Sequence, residues 1–204
     1  MRRSLVYDPV MRTIHWWNAL SVMTLLLTGE IARRSSSSMD AAVFHEWHAW
    51  FGNALVLGLV ARLVWGLFGP RYARLSALFR PHDWGRALKR RVLSVERTEF
   101  GPHPLAGSIH LLFYAVLIVV AATGLSLLAV KYGSGPLAAW LSYKLWLKSV
   151  HMQVHDFLSY VVWAFVFVHV SAVVLHDRRY GTPLAQSMLS GYQYLPESDD
   201  SDRK

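Results

Sequence analysis

The sequence predicts an all-α membrane protein, a bundle of four transmembrane helices. Apolar residues make up 53% of its 204 positions, while charged residues reach only 17%, below the roughly one quarter that is usual in soluble domains. The apolar residues are gathered into four runs of about 20 positions, the length that crosses a bilayer core. Nine Trp, nine Tyr and nine Phe residues are typical of aromatic belts at the two lipid–water interfaces.

The four runs predict spans at about 13–31, 45–68, 108–130 and 152–176. Only a helix satisfies its own backbone hydrogen bonds in lipid, so each run is interpreted as a helix. We expect a single membrane domain over residues 1–204, surrounded by membrane lipid. The last segment, 198–204, is polar and is predicted to be disordered.

The distribution of Lys and Arg predicts the orientation of the spans. The N-terminal segment, the connection 69–107 and the C-terminal tail together carry fifteen of these residues, and the other two connections carry five. Basic connections stay on the cytoplasmic side, so both termini are predicted to be cytoplasmic. The net charge of +8 is explained by this asymmetry, and we expect no nucleic-acid partner.

The composition also restricts the cofactor chemistry. Cysteine is absent, which excludes disulfides, thiolate metal sites, iron–sulfur ligation and covalent attachment of c-type heme. Ten histidines remain as the strong nitrogen ligands. An ionisable residue inside a membrane is costly, so a histidine within a span suggests a function.

The fourth span carries the most informative pair, His155 and His169. Their separation of fourteen residues corresponds to about 40° around a helix and roughly 21 Å along it. The two side chains are therefore predicted to share one face, with one near each side of the hydrocarbon core.

Depth in the membrane then predicts the partners of these two histidines. The direction of each span places His48 at the outer level with His155, and His15 at the inner level with His169. A zinc or copper site needs three or four clustered ligands, whereas two per level suit an iron already held by a porphyrin. We therefore predict two non-covalent b-type hemes, each bound between two histidines, which relay electrons.

Two further residues are predicted to contact these cofactors. Arg62 follows His48 by fourteen residues, so it is expected near the inner heme, where it pairs with a propionate or reaches toward the interface. Gly52 lies one turn from His48 and either admits the macrocycle or packs one span against another. Gly124 has the same two interpretations.

The remaining histidines keep several interpretations open. His45 and His151 are rival ligands at the outer level, or they line an outer pocket for a quinone, a metal or a donor protein. His110 begins the third span and either contacts a quinone or propionate or lies in the interface. The others are interpreted as surface or interfacial residues: His82, His103 and His176.

Between Tyr7 and Gly191 the sequence resembles the bacterial cytochrome b561 family, which includes the b-type subunits of nickel–iron hydrogenases. Each matching motif is short, and the specificity comes from finding them in register along the chain. The motifs are Tyr7–Arg12 with Ile14–Trp16, His48–Gly52, Arg62–Gly66, Gly69–Ser76, Gly101–Gly107, Thr123–Leu125, His155–Asp156, His169 and Ser187–Gly191.

The resemblance implies a protein of the bacterial inner membrane with two hemes held by four histidines, which map onto His15, His48, His155 and His169. It implies electron transfer between the quinone pool and a periplasmic or membrane-bound redox partner, such as a c-type cytochrome or a dehydrogenase or hydrogenase subunit. The alternative is a stand-alone superoxide:quinone oxidoreductase. Whether the chain is an enzyme by itself stays open at this point.

Overall fold

The computed structural model describes residues 2–79, 104–141, 145–180 and 183–195. The predicted disordered tail at 198–204 lies outside these residues, as do His82 and His103. In chain order the elements are β1 (Arg2–Leu5), α1 (Pro9–Arg34), α2 (Ser38–Phe68), α3 (Leu75–Leu78), α4 (Pro104–Tyr132), α5 (Leu145–Tyr180), α6 (Leu184–Ser190) and β2 (Tyr192–Leu195).

Each of the four long helices encloses one of the predicted spans. Among the described residues, three helices are long and apolar enough to cross a membrane: Ser38–Phe68, Leu105–Tyr132 and Trp146–Arg179. These segments belong to α2, α4 and α5, so the chain is a helical, multi-pass membrane protein. The predicted count of four spans is not confirmed by this criterion, because α1 does not meet it.

The composition of α1 explains this difference. Its polar side chains Asn18, Ser21 and Thr28 are buried, so they face protein. Its exposed side chains include Leu20 and Leu27, which are apolar. Mean hydropathy counts both faces equally, and a helix with a polar protein-facing side therefore scores below its neighbours.

The chain divides into two compact units. The first unit contains Met1–Thr13, Leu63–Leu112 and Phe167–Lys204, and the second contains Ile14–Arg62 and Phe113–Val166. Each long helix contributes one segment to each unit. The two units are described separately below.

The second unit has an apolar core to which all four long helices contribute. Its buried side chains are Val22, Leu26, Leu55, Leu59, Leu117 and Val162. The rings of Phe113 and Phe165 stack beside this core with their centroids 3.6 Å apart. Such packing holds α1, α2, α4 and α5 together within the unit, and so fixes the places from which their polar side chains project.

The first unit contains a small sheet that the all-α prediction missed. Strands β1 and β2 pair antiparallel, with Arg2 opposite Leu195 and Leu5 opposite Tyr192. The paired segments, 2–5 and 192–195, are far apart in sequence, so no local sequence pattern predicts the pairing. Gly191 precedes β2 with φ of 85°, and its carbonyl accepts hydrogen bonds from the backbone N–H groups of Val6 and Tyr7 at 3.0 and 3.1 Å.

Candidate functional site

His48 of α2 and His155 of α5 face each other within the second unit. Their ring centroids are 6.2 Å apart and the ring planes meet at 74°. Sequence analysis predicted this pair as the outer ligands from depth alone. The structure brings the two imidazoles together at a distance that leaves space for one atom between them.

The ring of His48 is held from behind by α1. The Nδ1 atom of His48 lies 3.2 Å from the hydroxyl oxygen of Thr28, and that hydroxyl donates to the carbonyl of Thr24 at 2.7 Å. The next residue, Gly29, presents only hydrogen to the ring: a Cβ there would lie 3.2 Å from Cε1 of His48. The absence of a side chain at Gly29 therefore allows the imidazole to approach the helix.

The ring of His155 is held by α4 in the same way. Its Nδ1 atom lies 3.1 Å from the hydroxyl oxygen of Thr123 and 3.1 Å from the carbonyl oxygen of Val120. The Thr123 hydroxyl donates to the carbonyl of Val119 at 2.9 Å. A Cβ on Gly124 would lie 3.2 Å from Cε1 of His155, so this glycine allows the His155 ring to approach α4.

These contacts determine which ring nitrogen is free. A carbonyl oxygen can only accept, so Nδ1 of His155 is the donor in its bond to Val120. The hydroxyl of Thr28 is already committed as a donor to a carbonyl, so it accepts from Nδ1 of His48. In both rings the proton is on Nδ1, which leaves the lone pair on Nε2 available to a metal.

The distance between the two rings would fit a metal ion held between two imidazoles. Two metal–nitrogen bonds of about 2.0 Å and roughly 1 Å from each nitrogen to its ring centre give centroids about 6 Å apart, close to the 6.2 Å found. Within the described residues, no group of three or more His, Cys, Asp or Glu side chains could hold a bare metal ion. Two ligands therefore suit a metal whose other positions are filled by a porphyrin.

The two rival outer ligands have other contacts. His151 lies one turn before His155, and its Nδ1 atom is 2.5 Å from the hydroxyl oxygen of Ser126. Ser126 is buried, and it contacts Nδ1 of His151 from α4 as Thr123 contacts Nδ1 of His155. What distinguishes His155 is its approach to His48. His45 is exposed. The facing pair is formed by His48 and His155.

Arg62 is among the most deeply buried side chains, with 2% of its surface exposed. Its Nε atom donates to the hydroxyl of Tyr114 at 3.3 Å, and its guanidinium carbon lies 5.3 Å from the centre of that ring. A buried cation needs compensating partners, and Tyr114 is one that sequence analysis did not identify. The propionate contact stays a prediction.

Gly52 has space around it. A Cβ on Gly52 would meet only one atom within 4 Å, the Cδ2 atom of Leu25 at 3.9 Å. This is ordinary van der Waals contact, so close helix packing does not explain the glycine. The prediction that Gly52 admits a macrocycle beside His48 is compatible with this space and stays a prediction.

In the first unit, His169 lies against a second histidine. The ring centroids of His110 and His169 are 5.2 Å apart and the planes meet at 83°. The Nδ1 atom of His110 donates to the carbonyl oxygen of Ala106 on its own helix at 2.6 Å. His110 is thus a neighbour of a predicted heme ligand.

The predicted partner of His169 belongs to the other unit. His15 lies in the second unit, where its ring is 5.4 Å from that of Trp16 in an edge-on arrangement. The pairing of His15 with His169 stays a prediction from depth. His176 lies 3.8 Å from the carboxylate of Asp177, near the end of α5.

Sequence analysis missed the residues of α1 and α4 that contact the Nδ1–Cε1 edges of the His48 and His155 rings. Thr28 and Gly29 had no assigned role, and Thr123 and Gly124 were noted without a contact to His155. A signal for them does exist, because Thr-Gly occurs only twice in the chain, at these two places. Nothing in the sequence alone connects either dipeptide with the histidine of another helix.

The fold and the site define the class of this protein: a helical membrane protein with a paired-histidine site suited to heme. The family described as prokaryotic cytochrome b561 matches residues 6–191. The chain belongs to this family, and the resemblance found in the sequence is confirmed. It is therefore a membrane b-type cytochrome, a heme protein of electron transport.

Several relatives align over nearly the whole chain. A probable Ni/Fe-hydrogenase B-type cytochrome subunit of Rhizobium leguminosarum bv. viciae is 26% identical, over 96% of this chain and 90% of the relative. A protein of the same description from Bradyrhizobium diazoefficiens is 27% identical, over 91% of this chain and 84% of the relative. The corresponding protein of Cupriavidus necator is 24% identical, over 95% and 88%. No solved structure matches the chain.

Proposed function

We propose that this chain is a four-span, di-heme cytochrome that transfers electrons between the quinone pool and a redox partner in or outside the membrane. The observation that carries the proposal is the facing pair of His48 and His155, with centroids 6.2 Å apart. Heme bound there supplies an iron that changes between the ferric and ferrous states and accepts one electron at a time.

In this proposal the polar residues of the spans bind and orient the cofactors. His48 and His155 would hold the outer heme, and His15 and His169 the inner heme. Arg62 would neutralise a propionate, and Gly52 would leave room for the macrocycle. Each heme would be held by two imidazoles, which favours electron transfer over substrate chemistry at the metal.

The strand pairing in the first unit is an argument for an even number of spans. Strands β1 and β2 are hydrogen-bonded to each other, so residues 2–5 and 192–195 are on the same side of the membrane. The segment between two such strands crosses the membrane an even number of times. Among the described residues three helices meet the apolar criterion, and α1 has 26 residues or about 39 Å of length, enough to cross.

The orientation that we propose follows from the basic residues. The connection 69–107 and both termini lie in the cytoplasm, and the spans cross the bacterial inner membrane. Fluorescent protein fused to the C-terminus should fluoresce, because it folds in the cytoplasm. Alkaline phosphatase inserted between α1 and α2, near Ser37, should be active, because it requires the periplasm. The opposite pair of results would reverse the orientation.

The names of the relatives suggest the partner. They are described as B-type cytochrome subunits of Ni/Fe-hydrogenases, so we propose that this chain accepts electrons from a hydrogenase subunit and delivers them to quinone. A c-type cytochrome or another dehydrogenase remains an alternative partner. The relatives give no support to a stand-alone superoxide:quinone oxidoreductase.

A heme count tests the ligand assignment. We would purify the protein in detergent, record reduced-minus-oxidised spectra and count heme per chain as the pyridine hemochrome. The wild type should contain two b-type hemes. His155→Ala should contain one, and the matched control His151→Ala, one turn away on the same helix, should keep two.

Other counts would contradict particular parts of the proposal. A wild type without heme would refute the proposed function. Loss of a heme in His151→Ala but not in His155→Ala would move the ligand by one turn. A wild type with one heme, lost on substitution of His48, would refute the pairing of His15 with His169.

An electron-transfer measurement tests the direction and the partner. In membranes that contain the matching hydrogenase, hydrogen should reduce the heme α band, and added quinone should reoxidise it. The purified chain alone should not respond to hydrogen. Steady turnover of the purified chain with superoxide and quinone would instead establish the alternative.

A further inference from the structure

One arrangement occurs twice in the second unit. On α1 and again on α4, a threonine hydroxyl contacts Nδ1 of a histidine on another helix, and the glycine that follows contacts Cε1 of the same ring. We propose that Thr28-Gly29 and Thr123-Gly124 are positioning residues that set the redox potential and the ring orientation of the heme site at His48 and His155. This inference rests on the proposed function.

The hydroxyls act through the Nδ1 proton. Thr28 and Thr123 are buried, and each hydroxyl donates to a carbonyl of its own helix, so its oxygen is oriented to accept from the histidine. An acceptor at Nδ1 makes the imidazole more basic at Nε2. A more basic ligand stabilises ferric over ferrous iron, so the two threonines lower the potential of this heme.

At His155 the threonine contact is reinforced by a backbone carbonyl three residues earlier on α4, because Val120 accepts from Nδ1 at 3.1 Å. In both rings Nδ1 contacts a threonine hydroxyl on a neighbouring helix. Both imidazoles would therefore be strengthened as ligands of a heme by the same kind of contact.

The glycines act on the rotation of the rings. A Cβ on Gly29 or on Gly124 would lie 3.2 Å from Cε1 of the facing histidine, closer than ordinary van der Waals contact. The Nδ1–Cε1 edge of each ring thus packs against the backbone of a Thr-Gly pair. This packing restricts rotation of both rings and maintains the angle of 74° between their planes.

The test removes one hydroxyl at a time without changing the shape of the side chain. Thr28→Val and Thr123→Val are measured by spectroelectrochemical titration and by EPR of the oxidised protein. Each substitution should raise the potential of one of the two hemes through an approximately tenfold shift in its ferric–ferrous equilibrium, equal to about 59 mV for one electron. The double variant should shift it further.

Two controls separate the hydroxyl from a general effect on structure. Thr28→Ser and Thr123→Ser keep the hydroxyl and should restore the wild-type potential. Ser159→Ala removes a hydroxyl that donates to the carbonyl of Asp156 at 2.7 Å, one turn from His155 on the same helix. It should leave both potentials unchanged.

The glycines are tested by the EPR spectrum, which depends on the angle between the two axial imidazole planes. Gly29→Ala and Gly124→Ala should change the g values of one heme while its hydroxyl contact remains. The same substitution at Gly133, where a Cβ would meet no atom within 4 Å, should leave the spectrum unchanged.

The results distinguish this inference from the function on which it rests. A wild type without heme refutes the proposed function. A wild type with its hemes, and Val variants with unchanged potentials and EPR spectra, refutes the role of the threonines alone. If a Val variant loses heme, the Ser variant decides: wild-type heme and potential support the hydroxyl's role, and loss of heme there overturns it.

Discussion

The two units of this chain are built by different means. The second unit consists of helix segments whose small and hydroxylated residues allow close contact, and it presents His48 and His155 face to face. The first unit is held by hydrogen bonds of the chain ends and of polar side chains, such as Asp177, whose carboxylate accepts from the backbone N–H groups of Leu184 and Ala185. Close packing positions His48 and His155, whereas backbone hydrogen bonds join residues 2–5 to residues 192–195.

Substitutions should affect the two units differently. In the second unit, adding atoms between helices should disturb the geometry of the His48–His155 pair, because rigid rings and helix backbones meet there. In the first unit, the sensitive positions should be those where the backbone itself makes the contact. Four substitutions test this contrast.

The largest effect is expected at the ligand pair. His48→Ala should remove one of two hemes and lower the α-band absorbance per chain by about half, because a single imidazole does not complete a low-spin site. His45→Ala, three residues earlier on α2, should keep both hemes. Heme loss in the His45 variant with retention in the His48 variant would contradict the preformed pair.

A smaller effect is expected where α1 crosses α2. A Cβ on Gly58 would lie 2.0 Å from Oδ1 of Asn18 and 2.6 Å from Cδ1 of Trp17. Gly58→Ala should therefore lower stability by about 1–3 kcal/mol through overpacking, measured as the melting temperature in detergent.

Gly52→Ala is the matched control on the same helix, since its Cβ would meet only Leu25, at 3.9 Å. It should cost less stability than Gly58→Ala, because alanine favours the helix. A lower heme content in the Gly52 variant would support the predicted approach of the macrocycle. Equal melting temperatures for the two variants would show that the crossing has room to relax.

The third prediction concerns the terminal sheet of the first unit. Gly191 has φ of 85°, and a Cβ there would lie 2.5 Å from the carbonyl oxygen of Tyr7. Gly191→Ala should destabilise the unit by about 1–3 kcal/mol and expose the N-terminal strand to protease.

Gly133→Ala is the control for this prediction. Gly133 also has a positive φ, of 62°, but a Cβ there would meet no atom within 4 Å. Gly133→Ala should lower the free energy of unfolding by about 1 kcal/mol. If both variants lost the same stability, backbone strain alone would explain the effect of Gly191→Ala.

The smallest effect is expected at the buried cation. Tyr114→Phe removes the hydroxyl that accepts from Nε of Arg62 at 3.3 Å but keeps the ring beneath the guanidinium. Tyr114→Phe should lower the free energy of unfolding by about 1 kcal/mol, measured by thermal unfolding. Tyr160→Phe is the control, because the Tyr160 hydroxyl accepts from Arg33 where both side chains are exposed, and it should cause no measurable loss. If Tyr114→Phe and Tyr160→Phe lowered stability equally, burial of the Arg62 contact would not explain its contribution.

Several features of this protein could be predicted from its sequence. The apolar runs predicted where the long helices lie, and the fourteen-residue spacing on the fourth span predicted His155 and His169 as cofactor ligands. Depth also paired His48 with His155 before any contact was known. These results depend on helix periodicity and bilayer thickness, which are regular and local properties. The family motifs pointed to the same histidines.

Only the folded structure shows which residues contact Nδ1 of His48 and of His155, and that residues 2–5 pair with residues 192–195. Thr28 holds His48, Thr123 holds His155, and Tyr114 accompanies Arg62. The pairing of β1 with β2 joins residues nearly two hundred positions apart. Such contacts depend on how helices and strands distant in sequence pack together. One helix's periodicity does not specify which residue of another helix it meets.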